Sequence, residues 1–289
     1  MAILSIVLPV FALVLVGFLY ARRHAPDMRA ANRVNLDVFV PALIFHVMSR
    51  EDFQLFDYMD LALGGLLVVL GSGLVALAAA RALRIDWRTL VPPMMFVNSG
   101  NMGLPLALLA FGGEALGAAV VLFLLENILH FTLGVRMLDR RAGLAALLRM
   151  PMILATLAGL TVSLLAIPVP EPLAQAVEML GQVAIPLMLF ALGVRLKDAD
   201  LEHWRIGLIG ALLRPLSGVL IALLVLPWLD LEGQQGGQLL LFAALPPAVL
   251  NFMLAEQYGQ EPALVAAIVI WGNLASLIVI PVILAFIGP

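Results

Sequence analysis

The chain has 289 residues, of which 63% are hydrophobic and only 12% are charged, and its mean hydropathy is +1.08. Soluble domains carry about a quarter charged residues and about half apolar ones, so this composition excludes an ordinary soluble protein and favours a polytopic membrane protein. The formal net charge of −3 argues against a nucleic-acid partner, and the absence of cysteine excludes disulfides and thiolate chemistry.

Hydrophobic stretches divide the chain into ten predicted transmembrane helices, since about 20 mostly apolar residues are needed to cross a bilayer. The connections are short and polar, so we expect a single all-α membrane domain. The first span has neither a preceding basic residue nor a following cleavage signal, which predicts a retained helix and not a signal peptide. The predicted spans are residues 3–21, 33–49, 59–82, 90–111, 115–138, 149–167, 173–195, 204–228, 238–256 and 262–287.

Basic residues indicate how these spans are oriented, because cytoplasmic loops retain Lys and Arg. Fourteen of the 16 basic residues fall in the loops after spans one, three, five and seven, and the opposite loops hold only Arg50. We therefore expect a multi-pass protein of the cell membrane with both termini outside the cytoplasm. The fourteen residues are Arg22, Arg23, Arg29, Arg33, Arg81, Arg84, Arg88, Arg136, Arg140, Arg141, Arg149, Arg195, Lys197 and Arg205.

The fourth span contains residues that lipid cannot satisfy. Asn98, Gly100, Asn101, Gly103 and Pro105 lie where this span would be deepest in the membrane. An interrupted helix is stable there only if protein or a water-filled cavity covers its freed backbone groups. The stretch therefore predicts a discontinuous helix at a substrate pathway.

Short sequence matches recur along the chain at offsets of 145 to 147 residues, and a Pro-Pro pair occurs in both the fourth and the ninth span. Five helices per half would start the second half on the opposite side of the membrane, so the repeat must be inverted. We expect a first repeat over residues 1–142 and a second over 143–289. The matching segments are residues 40–45 with 185–190, 111–116 with 258–263, and 92–93 with 246–247.

Four motifs follow one another along the chain, at residues 39–45, at 98–105, at 185–187 with 192–196, and at 245–247 with 255–259. Together they resemble the auxin efflux carrier family, including its bacterial members. The resemblance implies a ten-helix secondary carrier of the bacterial inner membrane, with helices one, two, six and seven as a scaffold and helices three to five and eight to ten as a transport domain. It also implies that helices four and nine are both broken and cross at the substrate site.

Plant members of that family carry prolines at the positions that correspond here to Val97 and Asn251. The resemblance therefore implies the architecture and leaves the substrate open.

The crossing near the membrane midplane is the predicted substrate site. The second half of each broken helix would begin there, near residues 101–103 and 251–253. Unpaired N–H groups and about half a positive charge at each N-terminus favour an anion such as a carboxylate. The asparagines could instead coordinate a cation through their oxygens, or merely cap the half-helices. The predicted substrate-binding residues are Asn98, Ser99, Gly100, Asn101, Met102, Pro247 and Asn251.

Ionisable residues within spans are costly unless they face the protein interior, which makes them candidates for ion coupling. Glu126 and His130 lie one turn apart in the fifth span and predict a proton or cation relay. Arg214 is the only basic residue deep within a span, and the alternative is a structural Glu126–Arg214 ion pair between helices five and eight. Asn273 aligns with Glu126 through the repeat and joins this group.

Three polar residues are secondary candidates. Glu178 and Gln182 lie one turn apart near the outer end of the seventh span, where a solvated entrance edge explains them as well. Asp37 lies near the cytoplasmic boundary of the second span and could face a vestibule. Metal-ligand spacing, a phosphate-binding loop and an activated nucleophile are not recognisable, so we expect no cofactor, no metal and no enzymatic activity.

These patterns predict a secondary transporter that moves small organic anions by alternating access, driven by membrane potential or coupled to protons or sodium. A cation/proton exchanger or a sodium-coupled symporter with similar broken helices is the alternative. A membrane sensor that binds a ligand without transporting it is a more remote one. The expected partners are the organic anion and the lipid bilayer, and a homodimer is left open.

Overall fold

The computed structural model describes residues 2–50, 53–139, 150–197 and 202–288, with side chains from residue 6 onward. This part of the chain is helical apart from turns, connections and one isolated β-bridge. Six of its helices are long and apolar enough to cross a membrane. Arg140, Arg141, Arg149 and the expected boundary between the two repeats lie outside the described residues.

The helices of the first half are α1 (Ala2–His24), α2 (Arg29–Val34), α3 (Val40–Met48), α4 (Met59–Leu83), α5 (Trp87–Met95), α6 (Leu104–Phe111), α7 (Leu116–Leu129) and α8 (Val135–Leu138). Those of the second half are α9 (Pro151–Leu164), α10 (Glu171–Leu196), α11 (Trp204–Val225), α12 (Gln235–Ala244), α13 (Val249–Tyr258) and α14 (Pro262–Ile287). Three π-helical segments continue neighbouring helices, at Asn35–Phe39, Ser99–Gly103 and His130–Gly134.

The predicted spans differ in length from the observed helices at four places. The second span is the continuous run α2, Asn35–Phe39 and α3, and the fourth and ninth spans are each divided into two short helices. The sixth span, expected over 149–167, is a helix of only 14 residues, α9. It ends there because Ala166 adopts a left-handed backbone with φ of 49°, and prolines follow at 168 and 170.

Two of the π-helical segments end two residues before a proline. Phe39 precedes Pro41 in this way, and Gly103 precedes Pro105. Proline lacks an N–H group and its ring clashes with the carbonyl four residues earlier, and a widened π-turn removes that clash. The fourth span is therefore widened as well as broken, at the turn that carries most of its predicted site residues.

The helices pack into two groups. In the first group, α1 runs along α10, and α3 contacts both α9 and α10. In the second, α11 contacts α4, α5, α12 and α14, while α7 packs on α4 and α13 packs on α14. The π-turn Ser99–Gly103 and α6 reach from the second group to α10 and α1. The broken helices thus belong to the second group and face the first.

Glycines bring the backbones of α1 and α10 into direct contact. A Cβ atom at Gly193 would lie 1.9 Å from the carbonyl oxygen of Val14, and one at Gly17 would lie 2.2 Å from that of Phe190. Small residues are the usual means of close helix packing in membranes, where lipid is as apolar as the side chains. The α1–α10 pair therefore depends on glycine at both positions.

The surface differs from that of a soluble protein, because many large apolar side chains are exposed while charged side chains are buried. Leu8, Leu212 and Ile278 are each more than half exposed, whereas Glu126 and Arg214 are at most 2% exposed. A bilayer satisfies the outer surface, and the polar side chains are collected inside, around the two broken helices.

Candidate functional site

The two broken helices meet at a short antiparallel bridge. α5 ends at Met95 and α12 ends at Ala244, and the residue after each helix is extended. Val97 pairs with Pro247 across the break in antiparallel fashion. The two segments therefore run through the crossing in opposite directions.

Backbone hydrogen bonds hold this crossing together. The N–H of Asn98 donates to the carbonyl of Pro246 at 2.8 Å, and the N–H of Ala248 donates to the carbonyl of Phe96 at 3.0 Å. Each broken helix thus satisfies backbone groups that the other has freed, as a membrane environment requires.

The C-terminal ends of α5 and α12, the helices before the two breaks, receive hydrogen bonds from side chains of the second half of the chain. The carbonyl of Phe96, just beyond α5, also accepts from the Asn251 side-chain amide at 2.9 Å. In the last turn of α12, the carbonyl of Ala243 accepts from Nη1 of Arg214 at 3.3 Å. A cation at a helix C-terminus is favourable because this end carries partial negative charge.

The N-terminal ends of the second half-helices keep unused donors. Met102 and Gly103 donate to the carbonyl of Asn98 at 3.2 and 3.0 Å. Within the described chain, four other backbone N–H groups at these two ends have no hydrogen-bond acceptor, and the residues that carry them are part-exposed. They belong to Gly100, Asn101, Val249 and Leu250. Unpaired donors at positive helix ends form a position suited to an anion.

These N-termini begin slightly earlier than the sequence suggested. The first helical residues after the break are Ser99 and Val249, two residues beyond the bridged Val97 and Pro247. Because the extended segment is so short, both helix ends lie directly at the crossing.

Asn98 and Asn273 join the crossing to α14, and Asn251 holds the two segments of the crossing together. The Asn98 amide donates to Oδ1 of Asn273 at 3.1 Å, and the Asn273 amide donates to the carbonyls of Pro247 at 3.1 Å and Val269 at 2.8 Å. Asn251 donates to Phe96 as described. Asn101 differs, since its part-exposed side chain makes no hydrogen bond to the described residues. The amide hydrogens of Asn98, Asn251 and Asn273 therefore position the site. The Asn101 side chain and the buried, unpaired Oδ1 atom of Asn251 stay available to a ligand.

The π-turn Ser99–Gly103 is packed tightly on three sides. A Cβ atom at Gly100 would lie 3.0 Å from the ring of Phe123 in α7 and 3.8 Å from the sulfur of Met188 in α10. The Met102 side chain is 1% exposed, and its sulfur lies 3.8 Å from the hydroxyl of Ser276 in α14. Of these two predicted site residues, Gly100 lies at the contact with α10, and Met102 is part of the core.

Glu126 lies beside the crossing and contacts the turn directly. Its Oε2 atom accepts from the Ser99 hydroxyl at 2.8 Å and from the Asn127 amide at 3.2 Å. Its Oε1 atom lies 3.4 Å from Nδ1 of His130. The imidazole of His130 stacks on the ring of Phe96, with centroids 4.2 Å apart and an angle of 8° between the planes. Of the predicted pair, Glu126 thus contacts the broken fourth span at Ser99, and His130 contacts it at Phe96.

The alternative of a direct Glu126–Arg214 ion pair is wrong for the described chain. Arg214 is fully buried, and its Nη1 atom reaches Ala243 and, at 3.5 Å, the hydroxyl of Ser72. Its attraction to Glu126 acts beyond ion-pair distance. The physical reason is that α11 directs Arg214 to the end of α12, whereas Glu126 faces the Ser99 turn.

Two narrow cavities approach the crossing from opposite ends of the bundle. The Ser99 cavity lies between α6, α7 and α12, contains about 260 Å³ of empty space, part of it open to solvent, and is lined by Ser99 and Gln238. The Arg88 cavity lies between α5, α8, α13 and α14, contains about 240 Å³, and is lined by Arg88, His130 and Asn251. The crossing separates one from the other.

Two polar residues that line the cavities were not among the predicted site residues. Arg88 was counted only as a loop charge, but it lies in the first turn of α5, and its Nε atom is buried without a hydrogen-bond partner. Gln238 donates to the carbonyl of Ala115, and its Oε1 atom is likewise buried and unpaired. Arg88 lies two residues before the predicted fourth span, and Gln238 is the first residue of the predicted ninth span. The signal for both was a polar side chain at the start of a broken helix.

The secondary candidates lie away from the crossing. Gln182 donates to Oε1 of Glu178 at 3.1 Å on an exposed face of α10. Asp37 is exposed within the π-helical segment Asn35–Phe39. The structure therefore does not bring these three residues to the cavities.

Comparison with known proteins identifies the chain's relatives. A family model for membrane transport proteins matches the chain twice, over residues 2–147 and 142–284. Two matches to one model show that the chain contains an internal repeat.

Individual relatives align over nearly the whole chain. A protein of Rhizobium meliloti described as "Putative malonate transporter" is 32% identical over an alignment of 291 positions that covers 90% of this chain and 89% of the relative. Uncharacterized transporters of Methanothermobacter thermautotrophicus and Methanocaldococcus jannaschii are 26% and 22% identical, with at least 95% of each chain covered. The protein is therefore a multi-pass membrane transporter and not an enzyme, and it belongs to the membrane transport protein family, the family of the auxin efflux carriers.

Proposed function

We propose that this protein is a secondary carrier of small organic anions, with short carboxylates such as malonate as its substrate class. The proposal rests on one observation, which is that the C-terminal helix ends at the crossing have hydrogen-bond partners and the N-terminal ends have unpaired donors. The C-terminal ends of α5 and α12 receive hydrogen bonds from Asn251 and Arg214. The N-terminal ends of the helical segments that follow the two breaks keep four unpaired N–H donors. Such a position favours negative charge without an acidic or metal-binding group.

The charge of the proposed substrate follows from two features near the crossing, and the first is the set of unpaired N–H donors at the half-helix N-termini. Arg88 adds a guanidinium group with an unpaired Nε atom on one side of the crossing, where it would bind a second carboxylate. A short dicarboxylate fits both features, and malonate is the substrate given in the description of the Rhizobium relative.

The transport cycle that we propose is alternating access in a ten-span inverted repeat with both termini outside the cytoplasm. The antiparallel Val97–Pro247 bridge and the two matches to the family model support the inverted repeat. The group of α1, α3, α9 and α10 would be the scaffold, and the remaining helices would carry the crossing past it. Gly100 lies at the boundary between the two groups of helices. Arg195 lies there too, with its Nη1 atom 3.9 Å from the sulfur of Met253.

Uptake of radiolabelled malonate into proteoliposomes tests this proposal. We expect saturable uptake that other short dicarboxylates inhibit, and we expect Asn101→Ala to reduce it at least tenfold. Asn32→Ala, which changes an asparagine of α2 outside the crossing, should leave uptake unchanged. Absence of saturable flux across a panel of mono- and dicarboxylates would refute the proposal. Cation-driven proton movement in the same vesicles would then favour an exchanger, and binding without flux would favour a sensor.

A further inference from the structure

We propose that the carrier moves its anion together with a proton, and that Ser99, Glu126 and His130 conduct this proton between the two cavities. The inference rests on the proposed anion transport and adds the coupling ion and its path.

The three side chains lie in a row through the barrier at the crossing. Ser99 lines one cavity, and its hydroxyl donates to Oε2 of Glu126 at 2.8 Å. The other carboxylate oxygen lies 3.4 Å from Nδ1 of His130, and His130 lines the opposite cavity. All three side chains are buried, at 4%, 2% and 1% exposure.

The line has the chemical parts that proton transfer requires. A hydroxyl both donates and accepts, a carboxylate can hold a proton on either oxygen, and an imidazole can take a proton at one nitrogen and release it from the other. Neither nitrogen of His130 has a hydrogen-bond partner in the described chain, and Oε1 of Glu126 has none either. The gap of 3.4 Å is longer than a normal hydrogen bond, and contacts of this kind often tighten only when the substrate is bound.

Protonation of His130 would affect the broken fourth span through Phe96. The His130 ring is stacked on Phe96, whose carbonyl accepts from both Ala248 and Asn251 at the crossing. A Cβ atom at Gly134 would lie 2.7 Å from the Phe96 ring and 2.9 Å from the His130 ring, so glycine makes room for the stack. A positive imidazolium gains a cation–π contact with Phe96 that the neutral ring lacks.

Other titratable and charged groups lie on the elements around this line. They are His46 of α3, Asp60 and Arg81 near the two ends of α4, Arg88 of α5, Glu114 before α7, Arg136 of α8, Glu171, Glu178 and Arg195 of α10, and Arg214 of α11. Arg214 is buried and attracts Glu126, whereas Arg88 is part-exposed in the same cavity as His130.

The balance of these charges favours symport over exchange. With His130 neutral, the buried charges of Glu126 and Arg214 are opposite and offset each other. A proton added to Glu126 or His130 leaves one uncompensated positive charge, and a carboxylate bound at the half-helix N-termini compensates it. An uncompensated charge is costly in a low-dielectric interior, so proton and anion stabilise each other and move together.

Proton flux measured with a pH-sensitive dye trapped in proteoliposomes tests the inference. We expect external malonate to acidify the lumen of wild-type vesicles, and an inward proton gradient to drive malonate accumulation. In Glu126→Gln both effects should be lost, while exchange of labelled for unlabelled malonate continues. His130→Asn should behave in the same way. Glu114→Gln, an exposed carboxylate at the start of the same span, should match wild type.

The outcomes separate this inference from the proposed function. Wild-type malonate flux without accompanying proton movement would overturn the inference and leave anion transport intact. Proton-driven accumulation that survives in Glu126→Gln or in His130→Asn would also overturn it. A wild-type protein without carboxylate flux would refute the proposed function itself. Because exchange requires a folded carrier, retained exchange in the variants shows that lost coupling is not misfolding.

Discussion

Single residues at the crossing divide into those that build the site and those that remain available to a ligand. Asn98, Asn251 and Asn273 use their amide hydrogens on oxygens of the protein itself, so their polarity stabilises the broken helices. A buried amide that loses its partner costs about 1–3 kcal/mol, which explains why these residues must be satisfied as a set. Asn101, Arg88 and the Oδ1 atom of Asn251 keep unused polar atoms, and we propose that the substrate is recognised through them.

Arg88→Gln is expected to weaken dicarboxylate transport selectively. Removing a hydrogen bond between charged groups costs about 1.5–3 kcal/mol, so the KM for malonate should rise roughly 10- to 100-fold. Arg81→Gln, an exposed residue at the same end of the bundle, serves as the control and should leave KM unchanged. An unaltered KM in Arg88→Gln, measured in the same vesicles, would show that Arg88 does not contact the substrate.

At the scale of helices, the sequence predicts the positions of the spans and the break in the fourth one, because lipid imposes length and apolarity on each span locally. The short length of α9 and the widened turns were not predicted. They depend on prolines and left-handed residues, which change only a few backbone bonds and leave the hydrophobicity of the whole span unaltered. Glu126 could not be assigned to Ser99 instead of Arg214 from sequence. That choice depends on how α7 and α11 are rotated about their axes, and span-level hydrophobicity does not fix this rotation.

The α1–α10 contact supplies a prediction at this scale. Gly193→Ala would place a methyl group 1.9 Å from a backbone oxygen of α1, which neither helix can avoid by a change of rotamer. Overpacking costs about 1–3 kcal/mol or more, so we expect a clearly lower thermal transition of the detergent-purified protein. Gly113→Ala has no atom within 4 Å of the new methyl group and should leave the transition unchanged. Equal stability of the two variants would mean that α1 and α10 are not in backbone contact.

For the whole molecule, the two halves share one plan but differ in charge. Glu126 and Asn273 are 147 positions apart, and both contact the crossing. Glu126 contacts Ser99 in the π-turn, and Asn273 contacts Asn98 and Pro247 at the bridge. One of the two side chains can change its charge and the other cannot. The crossing is therefore nearly symmetric in its backbone and asymmetric in its chemistry.

The absence of cysteine from the sequence makes the expected orientation directly testable. A single cysteine at Glu232, between α11 and α12, should react with a membrane-impermeant maleimide added to intact cells. A single cysteine at Arg81, at the end of α4, should react only after the cells are permeabilised. The reverse pattern would place the basic loops outside and contradict the orientation inferred from them.

The bridge at Val97 and Pro247 also bears on where the membrane voltage would act. Because the two cavities approach the bridge from opposite ends, we expect the electric field to fall mainly across the few residues between them. A charge that moves over this short distance therefore gains or loses most of the roughly 2.3 kcal/mol per 100 mV that full passage would involve. A monovalent anion carried with one proton would cross without sensing the potential. A divalent anion carried with one proton would transfer a net negative charge, so an inside-negative potential would oppose its uptake and favour its export.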